Sequence, residues 1–93
     1  MERRRHKKYT TARQLIAAGY IKTFREIFET LPKTVMARDL GMNNTRFNKL
    51  LADVDKFILK DIFLMAFFLG LDEQTMLHLI LQQYLLDKKD RLP

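Results

Sequence analysis

The sequence predicts an all-α fold, a compact bundle of about five helices behind a basic N-terminal arm. Three observations point there. Apolar residues recur at three- and four-residue spacing, the repeat that turns one side of a helix toward a core. Glycine and proline fall between these stretches, where helices stop. No stretch keeps the two-residue alternation of a strand.

Residues 1–9 read as a flexible arm, because MERRRHKK is crowded with like charges and has no aliphatic residue beyond Met1. A first helix is expected from about Thr10, with Ala12, Leu15 and Ile16 on one side, ending near Gly19. Phe24, Ile27, Phe28 and Leu31 predict a second over Ile21 to Thr30, stopped by Leu31-Pro32. Lys33 to Leu40 follows, with Val35, Met36, Ala37 and Leu40 apolar and Gly41 at its end. Asn43 is placed to cap the next helix, Asn44 to Ala52, which would bury Phe47, Leu50 and Leu51. Asp53 to Ile58 reads as a loop. Leu59 to Leu69 is strongly apolar, with Leu59, Ile62, Phe63, Ala66 and Leu69 assigned to the core. Gly70 ends it. Asp72 caps a last helix, Glu73 to Leu86, whose expected inner face is Met76, Leu77, Ile80, Leu81 and Tyr84. Residues 10–86 form the domain, and 87–93 a charged tail.

Ninety-three residues, 47% of them apolar, support one small core and argue against disorder. Without cysteine there is no disulfide, zinc finger or iron–sulfur centre, a composition that fits a reducing cytoplasm. His6 and His78 alone make a poor metal set, and no nucleophile–base grouping or phosphate-cradling glycine loop is visible. Neither an enzyme, a cofactor nor a metal is expected. The longest apolar run, Ile62 to Leu71, falls short of the ~20 residues of a membrane span. The net charge of +6 is lopsided: residues 1–56 hold 13 Lys/Arg against 6 Asp/Glu, residues 57–93 hold 4 against 5. That asymmetry suggests a polyanion-binding face on the N-terminal half.

The segment KTVMARDLGMNNTRFNKLLA, Lys33 to Ala52, carries the functional signal. Two short helices joined by a tight turn need a small residue where they cross, a glycine at the bend, and apolar residues at fixed offsets. Ala37, Gly41, and the set Met36, Leu40, Met42, Phe47 and Leu50 meet those needs, with Asn43 as the cap. This is the pattern of a helix-turn-helix. Together with LKDIFLMAFFLGLD at 59–72, which keeps an alanine, a leucine and a glycine at Ala66, Leu69 and Gly70, it resembles the lambda-repressor-like, or Xre-type, regulators of phages and bacteria. The resemblance spans roughly 21–81. It departs from the family after the second motif helix, where Leu51 stands for the usual glutamate and no glycine follows.

What the resemblance implies is sequence-specific binding of double-stranded DNA, with the helix from Asn44 in the major groove. Asn44, Thr45 and Asn48 would then read base edges, with Arg46 and Lys49 beside them. Lys33, Thr34 and Lys56 would meet phosphate, and Arg3, Arg4 and Arg5 the backbone or a minor groove. One surplus remains. The helix from Leu59 is apolar nearly all round, Leu64 and Phe67 included, and Leu79, Leu85 and Leu86 lie off the expected inner face of the last helix. These five are candidates for a homodimer interface, unless the N-terminal extension covers them. The competing functional reading is a protein-interaction module on the same fold, an accessory or antitoxin-like partner that leaves DNA alone.

Overall fold

A computed structural model describes residues 6–91, with side chains as far as Lys89. Arg3, Arg4 and Arg5 therefore lie outside the described residues. Within them the chain is all-helical: α1 (Lys7–Ala17), α2 (Lys33–Leu40), α3 (Asn44–Ala52), α4 (Leu59–Leu69) and α5 (Glu73–Arg91), with two 3-10 segments, Phe24–Glu29 and Val54–Lys56. No described residue lies in a strand. α4 packs against α1, α2 and α5, and α5 also packs against both 3-10 segments.

The ranges of α2, α3 and α4 are those the sequence predicts, because their ends are set within a few residues. Gly41 and Gly70 stand in the left-handed region, at φ 74° and 71°, and close the same double hydrogen bond over α2 and α4. After α2, the Gly41 N–H donates to the Arg38 carbonyl (3.0 Å) and the Met42 N–H to the Ala37 carbonyl (2.9 Å). Two otherwise orphaned carbonyls are satisfied. Asp72 caps α5, its Oδ1 accepting the Thr75 N–H at 2.7 Å. Bonds from the Thr75 side chain and backbone hold the Asp72 carboxyl below its ordinary range.

The arm is shorter than expected. α1 begins at Lys7, where His6 Nδ1 accepts the Lys8 N–H at 3.1 Å. Tyr9, assigned to the arm, is 1% exposed, and its hydroxyl donates to Asp39 Oδ2 at 2.7 Å. A tyrosine with a partner for its hydroxyl can bury its ring. Its ring stacks on Phe68 of α4, at 6.1 Å. At the other end, α5 continues through Asp87 to Arg91, so the expected charged tail is largely helix.

Phe24–Glu29 winds as a 3-10 segment rather than an α-helix. The Glu26 carboxylate accepts the Lys22 N–H, the Thr23 hydroxyl and the Thr23 N–H, each at 2.9 Å. Those bonds, with Lys22 the largest contributor, hold the Glu26 carboxyl below the usual carboxylate range. The expected loop 53–58 is also partly core, since Val54 and Phe57 are buried.

Two helices are rotated from their expected phase. The inner face of α4 is Ile62, Met65, Ala66 and Leu69, with Asp61 buried beside them, while Leu59 and Phe63 are 59% and 40% exposed. The inner face of α5 is Met76, Leu79, Ile80 and Gln83, while Leu81 and Tyr84 are exposed. Leu79 is thus a core residue and no part of a dimer surface. Leu64 is half-buried, whereas Phe67, Leu85 and Leu86 are exposed. α1 covers α4 only in part.

Candidate nucleic-acid interface

α3 is held from beneath by aromatic packing. Phe47, its one aromatic residue, is 1% exposed. Its ring meets Phe28 at 5.5 Å and Phe57 at 6.2 Å, both edge-on. Phe24 closes the cluster, 5.3 Å from each of Phe28 and Phe57. Edge-to-face pairs of this kind add about 0.5–1.5 kcal/mol each beyond burial. Leu50 is buried one turn further on. Ala37, with no exposed surface, is the small residue on α2, the helix that packs against α3.

The start of α3 is set just as locally. Gly41 reverses the chain, Met42 tucks partly into the core, and Asn43 Oδ1 accepts the Arg46 N–H at 2.8 Å. Asparagine is among the best residues for this task, because its side chain replaces the missing backbone acceptor of the first turn.

With Phe47 and Leu50 inward, the helical repeat of about 100° per residue turns Thr45, Asn48 and Lys49 to the outer face. Asn44 and Arg46 flank them. All five are exposed. No acidic residue occurs between Leu40 and Ala52, so the turn and α3 carry only positive charge, from Arg46 and Lys49. The amides of Asn44 and Asn48 each offer donors and an acceptor to whatever approaches.

Lys33 and Thr34 open α2 and are exposed. They border a shallow concavity of about 490 Å³, shared with Arg25, Phe28, Glu29 and Leu51. Lys56 is exposed too, but its Nζ lies 3.8 Å from Asp53 Oδ2, so part of its charge is spent within the loop. Arg38 is likewise turned toward Asp39, at 3.3 Å. The structure therefore gathers Asn44, Thr45, Arg46, Asn48 and Lys49 on one short helix. Lys33 and Thr34 sit on the neighbouring helix, and Lys56 on the second 3-10 segment, which also packs against α3.

No family model, curated protein sequence or solved structure matches this chain.

One residue escaped the sequence reading. Arg25, in the first 3-10 segment, donates from Nε to the Leu51 carbonyl (2.6 Å) and from a terminal nitrogen to the Ala52 carbonyl (3.0 Å). Its guanidinium also grips both oxygens of Asp87, at 2.7 and 2.5 Å. Its backbone N–H donates to Gln83 Oε1 at 2.9 Å, and the Gln83 amide donates to Asp87 Oδ1 at 3.2 Å. Nothing near Arg25 in the sequence announces partners 26 and 62 residues away. Among the described residues, no three His, Asp or Glu side chains form a metal-binding group, and no single helix is long and apolar enough to cross a membrane.

Proposed function

We propose that this chain binds double-stranded DNA with sequence preference, as a helix-turn-helix regulator of bacterial or phage type acting in the cytoplasm. The observation that carries the reading is α3 itself. It is capped by Asn43, anchored by Phe47, and turns an exposed, polar, acid-free face outward. A helix about 10–12 Å across suits a major groove about 12 Å wide. In that position Asn44, Thr45 and Asn48 meet base edges. Asparagine bonds adenine through two atoms, and the threonine methyl touches the thymine methyl. Arg46 and Lys49 reach guanine or phosphate, and Lys33 and Thr34 meet phosphate at the start of α2.

The test is selection of bound sites from random duplex DNA at physiological salt. An enriched motif is expected. Binding that tracks salt alone and ignores sequence would overturn the proposal. Asn48→Ala is expected to flatten discrimination at one position. Lys33→Ala is expected to weaken all duplexes alike and to make the salt slope shallower by about 1.

A second reading is favoured by a different observation. Leu59, Phe63 and Phe67 run at i, i+4, i+8 along the outside of α4, and Leu81 and Leu85 at i, i+4 along α5, all at least 40% exposed. Apolar rows of this kind mark interaction surfaces. In the DNA-binding proposal they join two copies, which would present two α3 helices to half-sites about 34 Å apart. In the competing proposal they hold a different protein and DNA is never bound.

A further inference from the structure

α2 and α4 each end on a left-handed glycine that folds the backbone back over their last carbonyls. α3 does not. Its final residue is followed by Asp53 at φ −128° and ψ 81°, with no glycine between Met42 and Leu69. Carbonyls at a helix end need donors from somewhere, and the helix end is partly negative. Arg25 supplies both a donor pair and a positive charge from another part of the chain, through the Leu51 and Ala52 carbonyls. The guanidinium is itself fixed by the fork on Asp87 and by Gln83, which is 5% exposed. Planar two-point pairing of arginine with a carboxylate sets orientation as well as contact.

We infer that Arg25, held in place by Asp87 and Gln83 of α5, is the positioning residue that fixes the C-terminal end of α3 and so its angle to a bound duplex. Asn43 secures one end of the helix and Arg25 the other. The inference rests on the DNA-binding proposal for its functional half. Its structural half concerns only the first 3-10 segment, α3 and α5. It follows that the alignment of α3 depends on the C-terminal half of α5 staying docked.

The experiment compares the wild-type chain with Arg25→Lys and Asp87→Asn. Lysine keeps the charge and loses the planar fork. Asparagine keeps the shape and loses the charge. Hydrogen exchange is read at the amides of residues 49–53, with the α4 amides as the measure of global stability. Duplex binding is read against a selected site and a scrambled one. Arg25→Lys is expected to speed exchange in the last turn of α3 by about tenfold more than in α4, and to lower affinity for the selected site by about tenfold. Affinity for the scrambled duplex and the salt slope are expected to stay unchanged. Asp87→Asn is expected to act in the same direction and more weakly. Exchange rising equally in every helix, or both duplexes weakening together, reduces Arg25 to general support and overturns the inference. Unchanged exchange at residues 49–53 overturns it as well. A wild-type chain that prefers no site overturns the DNA-binding proposal and the functional half with it, while exchange still decides whether Arg25 pins α3.

Discussion

The left-handed turn before α3 sets where that helix begins, and Gly41→Ala probes it. Gly41 sits at φ 74° and ψ 27°, and a Cβ built there meets no atom within 4 Å. Collision is thus absent from the ledger, and the cost is the left-handed backbone alone. For an L-residue with a side chain that is about 1–2 kcal/mol. Each kcal/mol moves the midpoint of a domain this size by roughly 4–8 °C, so Gly41→Ala is expected to melt about 4–16 °C lower. Gly41→Asn should lose less, because asparagine visits the left-handed region more readily. Thermal and urea unfolding followed by far-ultraviolet circular dichroism measure both variants, with the urea slope expected to hold constant. A Gly41→Ala chain as stable as wild type would refute the left-handed turn. An asparagine as costly as alanine would refute the assignment of the penalty to the left-handed backbone.

Three further perturbations test separate parts of the molecule. Phe47→Ala removes the ring that anchors α3 and is expected to cost about 3–5 kcal/mol in urea denaturation, a large share of a domain stability of about 5–15 kcal/mol. A loss under about 1 kcal/mol would contradict its burial. Glu26→Gln addresses pH. The folded Glu26 carboxyl is more acidic than the unfolded one, so it stabilises the fold above the ordinary carboxylate range, and that contribution is lost as pH falls below that range through the lowered folded value. The variant is expected to be less stable at neutral pH, with the gap closing in acid; a gap that widens in acid reverses the sign and the assignment. Leu81→Glu with Leu85→Glu alters two outward leucines and should change monomer stability by no more than about 0.5 kcal/mol each. In sedimentation equilibrium the wild-type chain is expected to associate and this variant not to. Equal monomer masses for both up to millimolar concentration would remove the homodimer.

Local signals were the legible ones. Gly41, Asn43, Gly70 and Asp72 act on backbone groups within five residues, so their tasks are written beside them. What stayed hidden depends on distance. Tyr9 looked like part of a charged arm because its partner, Asp39, lies 30 residues on. Val54 and Phe57 sit in a segment too short to show a period, yet both are buried and Phe57 joins the aromatic cluster under α3. The phases of α4 and α5 differ from the expected ones for opposite reasons. α4 is apolar nearly all round, so periodicity has little contrast to measure. α5 carries polar Gln83 and Asp87 on its inner side, while the outward Leu81 and Tyr84 complete a competing apolar stripe with Met76, Leu77 and Ile80. The outward set on α3 was legible because Phe47 and Leu50 are its clearest apolar pair and fix what faces away. The Arg25 network was not, since its members come from three elements with no shared spacing.

The inward stripe of α5, running from Met76 through Leu79, Ile80 and Gln83 to Asp87, has a consequence for how this chain tolerates change in length. Adding or deleting a single amino acid between Met76 and Asp87 would swing the carboxylate about a quarter-turn away from its arginine, even with every hydrophobic residue retained. Homologues with the same wiring should therefore vary freely in residue type along the outside of this helix while keeping the count between its two ends.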